Sequence, residues 1–239
     1  MKGLKTMIAV LCVSMVAGSC GMSNAAKGGM IGGAAGGAVG AGLGAGIGAL
    51  VNGKKGAALG AAIGAGVGVA GGATAGALIG KKMDKAKAAA AAIAEAETFT
   101  DANGLEGVKV TFDNGILFSV GKSDLKSDAM ASLRKFATNV LNVYTDCDVN
   151  IYGFASSDGA DATNLKLSQS RANSVSNYLT NNCGVNAKQV KEAKGYGEDP
   201  NFLIYDANGK ENQAASRRVE VYLYASEAMI KAAENGTLK

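Results

Sequence analysis

The C-terminal half of the chain alternates apolar and polar positions in short stretches separated by helical spacings. Val108, Val110 and Phe112 alternate with their neighbours, which predicts a half-buried strand. Asn114-Gly115 reads as a tight turn, with Ile116 to Val120 as the apolar strand after it. Ser127 predicts a helix N-cap with Asp128 in the first turn. Leu133, Phe136, Val140 and Val143 then recur at helical spacing. Val149, Ile151 and Gly153 form the next alternating strand, and a second helix from about Asn164 to Asn181 turns Leu165, Ala172, Val175 and Leu179 inward. A short strand is expected near Lys191 to Lys194. The last strand faces Val219, Val221 and Leu223 in and Glu220, Tyr222 and Tyr224 out. The long loop from Glu198 to Ala214 carries an Asn208-Gly209 turn and is otherwise unassigned.

This order, strand-helix-strand-helix-strand-strand, predicts an α/β (α+β) domain over residues 105–226: a βαβαββ mixed sheet with helices on one face. Residues 227–239 read as a tail.

Upstream the pattern is different. Glycine falls at every fourth position from Gly28 to Gly48 and again from Gly56 to Gly80, with Asn52-Gly53-Lys54-Lys55 between the runs. That spacing lines glycines along one helical face, where another helix can approach closely. Each run lacks charge and reaches bilayer-spanning length. Glycine costs a helix about 1 kcal/mol per residue in water, so such helices are better supported in lipid. Residues 20–82 therefore predict a Gly/Ala-rich helical hairpin that inserts in a membrane or pairs with copies of itself; a flexible tether is the alternative. Residues 83–104 read as a linker whose first part, Met83 to about Glu97, is a solvated helix.

Composition sharpens this division. Most of the 35 glycines lie between Gly28 and Gly80. Aromatics begin only at Phe99, so an ordinary core can form only in the second half. The net charge of +4 is weak and shows no basic stripe of the kind nucleic-acid binders use. Histidine is absent, which removes the commonest general base and a common metal ligand. No nucleophile with a recognisable base and no metal-ligand spacing is found, so a non-catalytic protein without cofactor is expected.

The N-terminus carries Lys2 and Lys5, an apolar run from Met7 to Ala17, and Gly18-Ser19-Cys20. This is the plan of a secretory signal over residues 1–19. Small residues ending on Cys20 resemble a lipobox, whose cysteine is acylated; Ala17 stands where leucine is usual. Acyl chains contribute about 0.8 kcal/mol per buried methylene and hold a protein on a membrane. Cys147 and Cys183 remain for the globular half of an exported chain, where disulfides persist. A Cys147–Cys183 bridge is expected, with two separate buried thiols as the alternative.

The segments ILFSVGKSDLKSDAMASLRKF, VNIYGFASSDGADATNLKLSQSRANSVSNYL, GYGEDP and SRRVEVYL together resemble an OmpA-type peptidoglycan-binding domain. The glycine runs resemble glycine-zipper segments of envelope lipoproteins. The OmpA resemblance implies binding of the peptidoglycan peptide stem at its diaminopimelate residue, gripped by a carboxylate and an arginine. Arg171 fits the arginine, and Asn164 belongs to the same motif. The binding aspartate of the family is Ser156 here. Asp158 stands nearby as a replacement, and Ser156 itself offers a neutral hydrogen bond, worth about half a charged one. Arg218 is a peripheral candidate. Together these resemblances imply an outer-membrane lipoprotein, anchored at Cys20, facing the periplasm and tethering a membrane to the wall, with homo-oligomerisation through the zipper. The alternative is an oligomerising structural protein whose OmpA-like scaffold has lost strong wall binding.

Overall fold

In the computed structural model the described residues are 72–101 and 104–238. Signal segment, Cys20 and most of the glycine hairpin lie outside them.

The elements are helix α1 (Gly72–Ala91), strands β1 (Glu95–Thr100) and β2 (Glu106–Asp113), and a one-turn helix α2 (Asn114–Leu117). Helix α3 (Ser127–Phe136) runs on into a π-turn over Ala137–Leu141, followed by β3 (Cys147–Phe154) and the long helix α4 (Asp161–Asn182). Strand β4 (Val190–Gly197), the one-turn α5 (Gln213–Ser216), β5 (Arg218–Ala225) and α6 (Glu227–Glu234) complete the chain. The sheet order is β1-β2-β5-β3-β4. All pairs are antiparallel except β3 with β4, which are joined through α4. This is the mixed sheet expected, with one strand more.

Register explains the core. Val108, Leu223 and Val149 align across three strands, as do Val110, Val221 and Ile151, and Phe112, Val219 and Gly153. All of the apolar members are buried, under the helices. The intervening positions make rows of another character on the opposite face: Lys109, Tyr222 and Asn150; Thr111, Glu220 and Tyr152; Asp113, Arg218 and Phe154. Period-two alternation thus separates an aliphatic layer from an aromatic and charged one.

Several expectations are corrected. The segment read as a solvated linker is part of the core. Ala75, Ile79, Met83, Ala86 and Ala90 form one buried stripe along α1, at spacings of three and four. Lys82 on its flank pairs with Asp146 at 2.6 Å. Gly72, Gly76 and Gly80, the last members of the second glycine series, belong to this helix. No helix among the described residues is long and apolar enough to cross a membrane. Glu95–Thr100 is an edge strand on β2 rather than linker. The tail folds as α6, capped by Ser226, with Met229 and Ala233 buried against α1 and the rest of the core.

Ile116 to Val120 is not a strand. Asp113 Oδ1 accepts from Gly115 N at 2.5 Å and caps α2 instead of a hairpin turn. Val143 is exposed because the π-turn before it carries an extra residue and rotates the stripe away from the core. Leu165 also faces solvent, since Asn164, Ser168 and Arg171 occupy the inward face of α4. Strand β4 is twice as long as expected.

The Cys147–Cys183 bridge is not formed: both thiols are free. Cys147 pairs in register with Ala225 and points into the aliphatic layer. Cys183 sits at the C-cap of α4, beside Arg134 and Tyr178. The two share one end of the domain but different surroundings.

Candidate functional site: a buried arginine at the β3–α4 corner

Two glycines set the position of α4. A Cβ on Gly153 would lie 2.3 Å from Ser168 O, and one on Gly195 would lie 2.2 Å from Gln169 N. Only bare backbone lets the helix sit this low on β3 and β4. Gln169 then clamps the edge strand: its amide nitrogen donates to Ala193 O and its amide oxygen accepts from Gly195 N, both at 2.9 Å. Ser168 Oγ accepts from Gly197 N and donates to Leu165 O, again at 2.9 Å. With Ser168 fixed, Asn164 one turn before it and Arg171 one turn after it face the same corner.

Asn164 ties the corner together. Its amide nitrogen donates to Ser156 O at 3.2 Å, to Asp158 O at 3.0 Å and to the Glu198 carboxylate. The loop after β3 is thereby held to α4 and to the start of the β4–β5 loop. Ser156 is buried and its hydroxyl accepts from Arg217 Nη1 at 3.2 Å. Asp158 is exposed and joins these bonds through its carbonyl.

Arg171 is 5% exposed. Its Nε donates to Lys122 O at 2.9 Å, and its guanidinium lies 5.3 Å over the Phe118 ring. Its terminal nitrogens have no hydrogen-bond or ion-pair partner among the described residues. Burial first, and then the nearby charge of Arg217, pull the Arg171 guanidinium below its ordinary value. A cation held this far from water without a carboxylate is costly, and its fork is shaped to take a carboxylate in two parallel bonds.

Glu211 reaches the same loop from the β4–β5 connection. Its carboxylate accepts from Ser157 N at 3.2 and 3.4 Å and from Ser157 Oγ. Burial acts to raise this carboxyl, but bonds from Ser157 and Ser216 and the charge of Arg217 outweigh it and hold it below its ordinary value.

Arg218 lies elsewhere. It points to the aromatic face, donates to Glu220 Oε1 at 2.7 Å and stacks 4.3 Å over Phe154. Its neighbour Arg217 enters the corner instead, because strand alternation puts 217 and Val219 on the helix-covered side. Parity alone could have found Arg217. Glu198 and Glu211 carried no such signal, since they lie in the loop whose path no periodicity describes.

Residues 117–217 match the OmpA family. Over these residues the chain is similar to OmpA-family domains. It is 35% identical over 134 residues to outer membrane porin F of Pseudomonas aeruginosa, a match covering 54% of this chain and 37% of that protein. It is 32% identical over 118 residues to the probable lipoprotein YiaD of Escherichia coli, covering 49% and 52% respectively. The chain thus spans only about a third of the first relative and half of the second. Among solved structures, the peptidoglycan-associated lipoprotein of Burkholderia pseudomallei aligns with a TM-score of 0.38 and 24% identity, over 46% of this chain and 88% of that one. The OmpA-family match includes every residue of the β3–α4 corner, from Phe118 to Arg217.

Proposed function

We propose that this is a non-catalytic envelope lipoprotein whose OmpA-family domain binds the peptide stem of peptidoglycan, while lipid at Cys20 holds the other end in the outer membrane. The observation that carries the reading is Arg171, a buried guanidinium at the β3–α4 corner whose terminal nitrogens are unpaired among the described residues. The ligand carboxylate, here that of diaminopimelate, completes it as a bidentate partner. Asn164 shapes the corner and Arg217 adds a second positive group. Relatives named as an outer membrane porin and a probable lipoprotein support the envelope setting.

Co-sedimentation of the full chain with purified peptidoglycan tests this. Wild type is expected in the pellet and Arg171→Ala in the supernatant. Equal pelleting of both proteins would remove Arg171 from the reading, and absence of wild type from the pellet would remove wall binding.

One observation favours a second reading: position 156 is a serine already engaged by Arg217. On that reading the fold is a scaffold, and the glycine-rich segment, by oligomerising, carries the function. Failure to bind the wall together with multimers on cross-linking would support it.

A further inference from the structure

The charges of the corner are arranged in a way that the Arg171 pairing alone does not use. Arg217 reaches Ser156, Arg171 lies near enough to feel the charge of Arg217, and neither arginine forms an ion pair among the described residues. Glu211 holds the next residue, Ser157, and also forms no ion pair among them, although it lies within reach of the charge of Arg217. Its hydrogen bonds come from neutral donors, Ser157 and Ser216, and the charge of Arg217 acts on it from beyond bonding distance. Positive and negative groups thus flank one short stretch of loop without neutralising each other at bonding distance.

Glu211 is moreover held in place by a hairpin of its own. Tyr205 and Glu211 form an antiparallel bridge. Asp206 N donates to Lys210 O at 2.8 Å and Asn212 N donates to Ile204 O at 2.7 Å. Asp206 Oδ1 accepts from Asn208 N and Lys210 N at 2.9 Å, and Gly209 takes a positive φ of 75° at the turn. A carboxylate fixed in this way before the ligand arrives loses little freedom on binding it.

We propose that Glu211 binds the cationic group of the ligand, so that the β4–β5 loop decides which wall peptides the site accepts. This rests on the peptidoglycan reading. The ligand is then recognised at both ends of a free amino-acid terminus: its carboxylate by Arg171 and its ammonium by Glu211. Ser156 leaves the negative role open, and Asp158 enters the corner only by its backbone. A charge-assisted bond is roughly twice as strong as a neutral one, so a peptide with its side-chain amine blocked should bind about tenfold more weakly.

The test uses the full chain in detergent and calorimetric titration with two probes. One is a stem tripeptide ending in diaminopimelate with its side-chain amine free; the other is the same peptide with that amine acetylated. Wild type is expected to prefer the free amine by about tenfold. Glu211→Gln keeps the size and an acceptor for Ser157, and should bind both probes as wild type binds the acetylated one. Glu211→Asp, which keeps the charge, should retain part of the preference and guards against a folding defect in the glutamine variant. The proposal is overturned if wild type shows no preference, if Glu211→Gln retains it, or if Glu211→Gln weakens both probes equally, which is the result of a residue that only props the loop. If Arg171→Ala binds both probes as well as wild type, the peptidoglycan reading falls and this proposal with it.

Discussion

Gly153 lies directly beneath the carbonyl oxygen of Ser168, so closely that a Cβ there would come within 2.3 Å of it. The obstacle is helix backbone, which cannot rotate out of the way. Gly153→Ala should therefore destabilise the domain by about 3 kcal/mol, the upper part of the range for overpacking, as measured by urea unfolding. The same displacement lifts Ser168 and with it Asn164 and Arg171, so wall binding should fall more than the stability loss alone explains. Unchanged stability would show that α4 does not rest on β3 at this point.

Arg217 and Arg218 are neighbours in sequence with opposite duties. Arg218 and Glu220 are a buried pair on the aromatic face, 7% and 4% exposed, and Tyr222 Oη also donates to Glu220 at 2.6 Å. Removing one member of such a pair leaves an uncompensated buried charge. Glu220→Ala and Arg218→Ala should each cost about 3–5 kcal/mol. Arg217→Ala loses one charge-assisted hydrogen bond to Ser156 and should cost about 1.5 kcal/mol, yet weaken wall binding. Urea melts and co-sedimentation of the three variants separate the roles, and a stable Arg218→Ala would contradict the assignment.

The difference between what could and could not be read from residues alone tracks the range of the forces involved. Val108, Val110 and Phe112, or Val219, Val221 and Leu223, reveal their strands because burial on one face is local and periodic. Arg171 and Asn164 were legible through a motif on one helix. The core role of α1 was not, since alanine is at home both in a solvated helix and in a tightly packed one, and only the stripe from Ala75 to Ala90 distinguishes them once a surface is there to receive it. The switch of Ile116 to Val120 from strand to helical turn depends on the Asp113 cap. Glu211 reaches Ser157 across 54 positions by way of a loop with no periodicity.

The two cysteines should differ in reactivity. Burial, then the charge of Asp146, pushes the Cys147 thiol up to about 12. Cys183 is raised by burial but partly exposed, with Arg134 and Tyr178 acting in the opposite direction. In the native protein at pH 8, Cys183 should react with a thiol reagent and Cys147 only after unfolding. Because the folded-state value of Cys147 lies above the unfolded one, its contribution to stability is complete below the ordinary value of 9.0 and is lost as pH rises toward about 12. Cys147→Ala should make stability less dependent on pH over that window. Mass mapping that finds a Cys147–Cys183 disulfide in protein prepared under oxidising conditions would contradict the free-thiol arrangement.

The domain boundary itself makes the last prediction. Met83 and Ile79 are buried to 0% and 1% exposure on α1, and the helix packs on β2, β1 and α6. If this helix were only a spacer between membrane and domain, truncating these side chains would leave folding untouched. As part of the core, Met83→Ala and Ile79→Ala should each lower stability by about 2–5 kcal/mol in the full chain, while Leu78→Ala, on the more exposed side, should stay within about 0.5 kcal/mol. A fragment beginning at Leu105 lacks both α1 and β1 and so uncovers Val108, Val110 and Met229. It should bind a hydrophobic dye and aggregate, whereas one beginning at Gly72 should melt cooperatively. Cooperative melting of the shorter fragment at the same temperature would show that α1 adds nothing to the fold.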